Sequence, residues 1–395
     1  MQAGLRTASA TQSAIAASVH SSGGHGGGAA GIGRGGGGGG GGNGDVRGGG
    51  GGDGEQPRRK RWGLPAQIGA GAAVYLGGLW TVAAVWDAWQ DAISPRVDTS
   101  RASVSVVIPA INEERVIADT VRHVLTQWDP PPLEVIVADG GSTDGTVAAA
   151  RRAGARIVRC GRGRALQMNA GAQVAAGQLL LFLHADTRLP TDAVACARHD
   201  FSIARTVLVG FRPLILDGGR PMWFSTANNW AKTYYGPMLL RPASYVRGLR
   251  IMFGDQGLSC RAVDFRAVGG YRAYLPLMED AELCLDLHNS GPAAAEAAEV
   301  KVVATAAAVA DVGVASEEGK GRPAHKSSSG GGGCSARGRV RMRQDRAAAT
   351  SGRRIAAWGE LRANCIFAYI SMLWLAGAAP AELHAVQRRL YTDIR

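Results

Sequence analysis

Two acidic features stand where acidic residues are hard to keep. Asp186 closes the segment LLLFLHAD (179–186), and Glu279-Asp280 sit inside PLMEDAELC (276–284). Burying an unpaired carboxylate is costly or drives it to take up a proton. Something must therefore meet Asp186: solvent, a basic side chain or a metal ion. Carboxylates suit Mg²⁺ or Mn²⁺, which often take one or two of them and complete their shell with substrate phosphates. His184 lies two positions earlier, on the same face of a strand, and fits a metal ligand, a phosphate donor or a hydrogen-bonded strand-end histidine. Glu279-Asp280 opens a helical segment, where acidic residues complement the helix dipole; the pair also supplies a general base if it faces a ligand crevice. In VADGGSTDGT (137–146), Asp139 precedes two glycines that let backbone approach a ligand, although such sequences also make ordinary turns. GRGRALQMN (161–169) sets Arg162 and Arg164 ahead of a helix, as a diphosphate clamp or as solvated loop arginines.

The elements that must position these residues alternate. SVSVVIPA (103–110) is a β-branched strand stopped at Pro109, and EERVIADTVRHVLTQ (113–127) places Val116, Ile117, Val121, Val124 and Leu125 on one helical face. LEVIVADG, ARIVRC and LLLFLHAD are further strands, separated by the helical TVAAARRAG and ALQMNAGAQVAAG. Strand–helix alternation implies βαβ units and a mostly parallel sheet flanked by helices, whose central strands read as solid apolar runs. Ligands gather beyond the carboxyl ends of such strands, where Asp139 and Asp186 would project. The second half is less regular. VLVGFRPLILD (207–217) and IMFGDQGLSCR (251–261) read as strands, followed by the helical AVDFRAVGGY and LMEDAELCLDLHNSG.

The flanks differ in kind. Residues 21–57 are dominated by Gly and bury almost nothing, so the segment 1–61 should stay disordered. A second biased stretch, 306–349, has too few large apolar residues for a core and reads as a disordered insertion, dividing a domain at 100–305 from its closing part at 350–395. The net charge of +12 would suggest nucleic acid, but residues 104–300 carry 20 Lys and Arg against 19 Asp and Glu. The basicity belongs to the flanks, and no nucleic-acid partner is expected. Six scattered cysteines without a C-x-x-C pair indicate free thiols in a reducing compartment. The uncharged stretch 62–86 follows RRKR (58–61) and is long enough for a membrane anchor helix over 62–88, with the basic end cytosolic. That predicts membrane association, and otherwise a cytoplasmic or plastid location, since the Ser/Thr/Ala-biased start permits a transit peptide. The apolar CIFAYISMLWLAGAAP (365–380) is short for a span and suits a packed or surface helix.

Six motifs in order carry a resemblance: PAINEE (109–114), VADGGSTDGT, GRGRALQMNAG (161–171), LFLHADTRLP (181–190), GDQG (254–257) and PLMEDAELC. Together they resemble family 2 glycosyltransferases, and more narrowly a bacterial and algal-plant branch carrying an R-x-x-Q-M-N-x-G segment. TSGRRIAAWG (350–359) and the closing YTDIR look like that branch too. The resemblance implies a GT-A, Rossmann-like fold that binds a nucleotide-diphosphate sugar with Mn²⁺ or Mg²⁺. By similarity, Pro109, Asn112, Glu113 and Asp139 would line the nucleotide pocket. Arg162, Arg164, Gln167, Asn169, Asp255, Arg353 and Arg354 would complete the donor site. Asp186, with His184 at the first position of a D-x-D-like element, would hold the metal. Asp280, beside Glu279, would deprotonate an acceptor hydroxyl, giving inversion at the anomeric carbon. The acceptor is unknown, and a lipid-linked one would fit the anchor. Two other readings differ in class. A sugar-phosphate nucleotidylyltransferase wants a Gly-rich, Arg-containing loop after the first strand, where this chain has PAINEERV. A non-catalytic, membrane-associated nucleotide-sugar-binding protein would not need Asp139, Asp186 and the Glu-Asp pair together.

Overall fold

A computed structural model of the chain describes residues 64–275, 277–293 and 337–390. The Gly-rich segment 1–61, residues 294–336 and the closing YTDIR lie outside the described residues.

Strand β1 (Val104–Ala110) runs parallel to β2 (Glu134–Asp139) on one side and to β4 (Leu179–Phe182) on the other, and β3 (Arg156–Arg159) extends the parallel block from β2. The expected apolar runs are its centre. Val106 and Ile108 pack on one face, under the helices Glu114–Gln127 and Ala193–Phe201, while Val107 faces the other with Ile136, Met168 and Phe182. Both faces of the strand are therefore dry, which is why it does not alternate with polar residues.

Beyond β4 the sheet turns mixed. β8 (Leu258–Arg261) lies antiparallel to β4, and β6 (Thr206–Asp217) antiparallel to β8. β9 (Arg339–Ser351) lies parallel to β6, β5 (Thr187–Arg188) antiparallel to β9, and β7 (Arg220–Pro221) pairs with β6. The order is 3-2-1-4-8-6-9-5. Only residues 183–186 separate β4 from β5, yet four strand spacings, about 19 Å in a flat sheet, separate them in that order. A four-residue link containing a turn cannot cover that, so the sheet curls, and His184–Asp186 cross where its ends approach. Thr187 and Thr350 hydroxyls close the seam at 2.9 Å.

Three expectations are corrected. Residues 339–349, read as part of a disordered insertion, are a sheet strand. Its arginines are held from distant elements: Arg343 by Asp200 at 2.9 Å and Arg341 by Asp91 at 2.6 Å. The stretch expected to anchor in a membrane belongs to a helix, Leu64–Ile93, and among the described residues no helix is long and apolar enough to cross one. Its Gly and Ala keep it only moderately apolar, and it continues into Asp87 and Asp91. Asp87 pairs with Arg250 at 2.9 Å and Arg339 at 3.0 Å, and Trp80 stacks 4.6 Å from Tyr234. Finally, the stretch 251–261 is a strand only from Leu258; Gly254–Gln256 form a 3-10 turn. The apolar segment near the C-terminus forms the helix Glu360–Leu375, packed through Ala363, Ile366 and Ile370, with Asn364 bonded to Ser225 and Asn228.

Candidate active site

The loops after β1 and β2 are tied to each other. Asn112 sits in the left-handed region (φ 55°), which Asn tolerates, and from there its Oδ1 accepts the Thr143 backbone N–H at 2.9 Å while its own N–H donates to Ser142 Oγ at 3.0 Å. The Glu113 N–H donates to Thr146 Oγ1 at 2.8 Å, and Glu114 Oε2 accepts the Gly145 N–H at 3.1 Å. Asp139 is buried and accepts the Ser142 and Gly141 N–H groups at 3.1 and 3.3 Å, so its carboxylate closes its own turn. Gln167 reaches from the helix Arg164–Val174 and donates to the carbonyls of Ala110 and Ala138 at 2.7 and 3.0 Å, clamping the ends of β1 and β2. Asn169 clamps Tyr271 through both backbone groups, at 2.7 and 2.9 Å. Expected among the donor contacts, Asn112, Asp139, Gln167 and Asn169 thus spend polar atoms on backbone. Pro109, in β1 opposite Ala138, lies at the same strand end.

The link 183–186 and the segment after β9 meet in front of these loops. β4 stops at Phe182, so the strand alternation expected to put His184 and Asp186 on one face does not reach them. Asp186 instead meets a basic side chain: Arg353 Nη2 donates to its Oδ2 at 3.4 Å and lies 3.6 Å from Glu113 Oε2. Gly352, just before, is packed so tightly that a Cβ would come 2.5 Å from Met222 Sδ. Arg354 is close enough for its charge to bear on His184.

His184 turns toward the other wall. A Cβ on Gly254 would lie 2.4 Å from His184 Nε2 and 3.2 Å from Asp280 Oδ2, so only glycine lets the three come together. Burial, with Arg164 and Arg354 nearby, lowers the His184 pKa to about 3, and the imidazole is neutral. The helix Glu279–Ser290 carries both acids into the wall. Arg164 Nε donates to Glu279 Oε1 at 2.5 Å, and the Gly254 N–H donates to Asp280 Oδ2 at 2.9 Å. Burial and then the Glu279 charge raise the Asp280 pKa to about 7, against the pull of Arg164 and the Gly254 N–H. The arrangement presents a buried carboxylate near neutrality beside a neutral histidine, with Arg164 and Arg354 close enough for their charges to bear on that histidine. Such a carboxylate can take a proton from a hydroxyl at ordinary pH.

The structure thus brings Asp280, Glu279, His184, Arg164, Arg353, Arg354, Asp186, Glu113 and Asp255 to one region. Arg162 stays exposed at the loop tip. Among the described residues no cluster of three or more His, Cys, Asp or Glu is placed to hold a metal ion. Sequence reasoning missed Lys232 and Asn229, on the helix Trp223–Leu240. Asn229 Nδ2 donates to Asp255 Oδ2 at 2.5 Å, and the Lys232 ammonium lies 4.6 Å from the Phe253 ring centroid and 5.4 Å from that of Phe367. A signal existed: Lys232 is the sole charged residue of that apolar helix.

Residues 105–254 match the model of the family Glycosyl transferase family 2, so the resemblance drawn from the motifs holds at the level of that family. It does not reach the narrower R-x-x-Q-M-N-x-G branch. Glucosyl-3-phosphoglycerate synthases of Mycobacterium tuberculosis and Mycobacterium bovis are 35% identical over 95 residues, 21% of this chain. The chain spans 29% of the length of those curated relatives. A crystal structure of the M. tuberculosis enzyme with Mn²⁺, uridine diphosphate and phosphoglyceric acid aligns with 20% identity, covering 51% of this chain and 67% of that one at a TM-score of 0.38. The mannosyltransferase PcManGT of Pyrobaculum calidifontis, with GDP-mannose and Mn²⁺, aligns at 20% identity and a TM-score of 0.37, covering 55% of this chain and 62% of that one. The matched homologues are glycosyltransferases.

Proposed function

We propose that the chain is an inverting glycosyltransferase that moves a sugar from a nucleotide-diphosphate donor to an acceptor hydroxyl, with Asp280 as the base. The observation that carries this reading is Asp280 itself: buried, fixed by the Gly254 N–H, and poised near pH 7 in the region that also gathers Asp186, Arg164, Arg353 and Arg354. A displaced diphosphate develops negative charge, and the arginines supply preorganised positive charge for it. The tied loops after β1 and β2 hold Pro109, Asn112, Glu113 and Asp139 as the floor on which the nucleotide lies. Asp280 takes the acceptor proton as the new bond to the anomeric carbon forms and the diphosphate leaves with its electron pair.

The residues fit a divalent ion shared with the donor. Two carboxylates, Asp186 and Glu113, already converge on one cationic group, the Arg353 guanidinium. Asp186, with Glu113 beside it, would hold Mn²⁺ or Mg²⁺, and substrate phosphates would complete the shell. When bound, that ion supplies further charge stabilisation for the leaving diphosphate. His184 faces Gly254 and Asp280, so we assign it to the base's wall. Nothing in the described residues favours a lipid-linked acceptor over a free one.

The test offers UDP-glucose and GDP-mannose to the purified full chain with Mn²⁺, following nucleoside diphosphate release and the anomeric configuration of the product by NMR. Release that EDTA abolishes, with inversion, is the expected result. Retention of configuration would remove Asp280 from its role, and no consumption of any nucleotide-sugar would remove the enzyme reading.

A further inference from the structure

The wall around Asp280 contains more polar atoms than it satisfies. Asp280 is 4% exposed, and its Oδ1 is out of solvent with no hydrogen-bond partner among the described residues. Asp255, next to the Gly254 whose N–H fixes Asp280, has the same defect: Asn229 binds its Oδ2, and its Oδ1 is unpartnered. His184 Nε2 is a third such atom. Buried polar groups are nearly always paired, so several orphans grouped around Gly254 point to a bound molecule that supplies the partners. Carboxylate oxygens only accept, and an anion cannot satisfy them. What satisfies the two carboxylates on either side of this turn is a pair of hydroxyl donors.

The charges agree. Arg164 is already engaged with Glu279, and the Lys232 charge bears on Asp255. Lys232 makes no direct hydrogen bond or ion pair among the described residues; its ammonium lies against the rings of Phe253 and Phe367. It is therefore held in place with donors to spare for hydroxyl oxygens, while its charge is balanced by Asp255. Among the described residues, the cations beside Asp280 and Asp255 are thus already matched to Glu279 and Asp255, which disfavours an acidic acceptor group.

Resting on the glycosyltransferase reading, we propose that Asp255, backed by Asn229 and Lys232, selects the acceptor: it binds the hydroxyl adjacent to the one that Asp280 deprotonates, so the acceptor is a neutral vicinal diol such as a sugar or polyol. The reacting hydroxyl loses its proton to Asp280 and bonds to the anomeric carbon as the donor's bond to its diphosphate breaks. The neighbouring hydroxyl keeps its proton and donates it to Asp255 Oδ1.

The experiment gives the full chain UDP-glucose or GDP-mannose with Mn²⁺ and a set of acceptors: methyl glucoside, methyl mannoside and glycerol, their counterparts lacking one hydroxyl of the pair, and 3-phosphoglycerate. Sites built to hydrogen-bond a hydroxyl discriminate strongly against analogues lacking it, and a loss of about 100-fold or more in kcat/KM is expected for the deoxy compounds. In Asp255→Ala that ratio should collapse toward unity, mainly through KM for the diol, with donor Kd unchanged; Asp255→Asn should restore part of it. If Asp255→Ala does not fold, Lys232→Met should shrink the same ratio. Preference for 3-phosphoglycerate, equal use of deoxy acceptors, or discrimination surviving in both variants overturns the assignment. Donor turned over only by water overturns it too, while leaving donor chemistry standing. Failure to consume either donor overturns the glycosyltransferase reading instead.

Discussion

The two sides of the candidate site, the proposed donor side and the proposed base side, are built on opposite terms. On the donor side, Asn112, Asp139, Gln167 and Asn169 have polar atoms committed to backbone, and the loops they tie are complete without a ligand. On the base side, Asp280, Glu279, Asp255 and His184 each keep one buried polar atom without a partner. The donor side is a preformed scaffold, while the base side carries unmet hydrogen-bonding demand. That division suits a two-substrate enzyme, which must position one substrate rigidly and keep a base free to meet the other. Residues that look alike in sequence, polar and near glycines, therefore do different work on the two sides.

Changes on the base side should abolish function and leave the fold; changes to the backbone-committed side chains of the donor side should mainly weaken the fold. The largest effect short of removing the base belongs to Gly254→Ala. Its Cβ would press on His184 and Asp280, and displacement of catalytic groups by about 1 Å lowers turnover by about 100-fold. Steady-state kinetics with circular dichroism would show an inactive, folded protein; an active one would mean that this wall is soft. Gln167→Ala should show the opposite pattern. It removes one hydrogen bond from the Ala110 carbonyl, which keeps the Gly140 N–H at 3.0 Å, and one from that of Ala138, at a cost of about 0.5–1.5 kcal/mol each in urea unfolding. Per folded molecule, kcat should change little. A stable Gln167→Ala with lost donor affinity would move Gln167 from scaffold to ligand contact. The smallest effect is expected from Arg162→Ala, within a few-fold in donor KM, because Arg162 is exposed where Arg164 is tied to Glu279.

The pH dependence separates the walls as well. With its pKa raised to about 7 by burial and the Glu279 charge, Asp280 is protonated in the folded enzyme below that pH. The ionised base accumulates as pH rises, so kcat/KM should climb through pH 7 and then level. Stability has the opposite sign: the folded state holds a proton that the unfolded carboxyl releases near pH 3.9, so this group weakens the fold as pH rises from about 4 to 7. Asp280→Asn should therefore melt higher than the parent at pH 8.

Much of the scaffold was legible because it is local. The LLLFL run and the Val-Ile strands announce a sheet covered on both faces, and Arg353 of TSGRR lies against Asp186. Partnerships across long sequence distances were not legible. Gln167 reads as a ligand contact until its carbonyl partners, 57 and 29 residues away, are known. RVRMRQDRAAATS reads as a solvated basic stretch because Asp91 and Asp200, which hold its arginines, are remote in sequence. The helix Leu64–Ile93 reads as an anchor for the same reason: Arg250 and Arg339, which pair with Asp87, sit far downstream. Lys232 gave only the faint sign of a lone charge among aromatic residues.

The base carries the account, and Asp280→Asn tests it most directly. The measurement is nucleoside diphosphate release from a nucleotide-sugar that the parent turns over, paired with donor affinity by calorimetry. Loss of about 10²- to 10⁴-fold in turnover with donor Kd preserved is the expected result, the range typical of removing a general base. Turnover within a few-fold of the parent would show that another group accepts the proton and that the unpartnered atoms around Asp280 serve some other end.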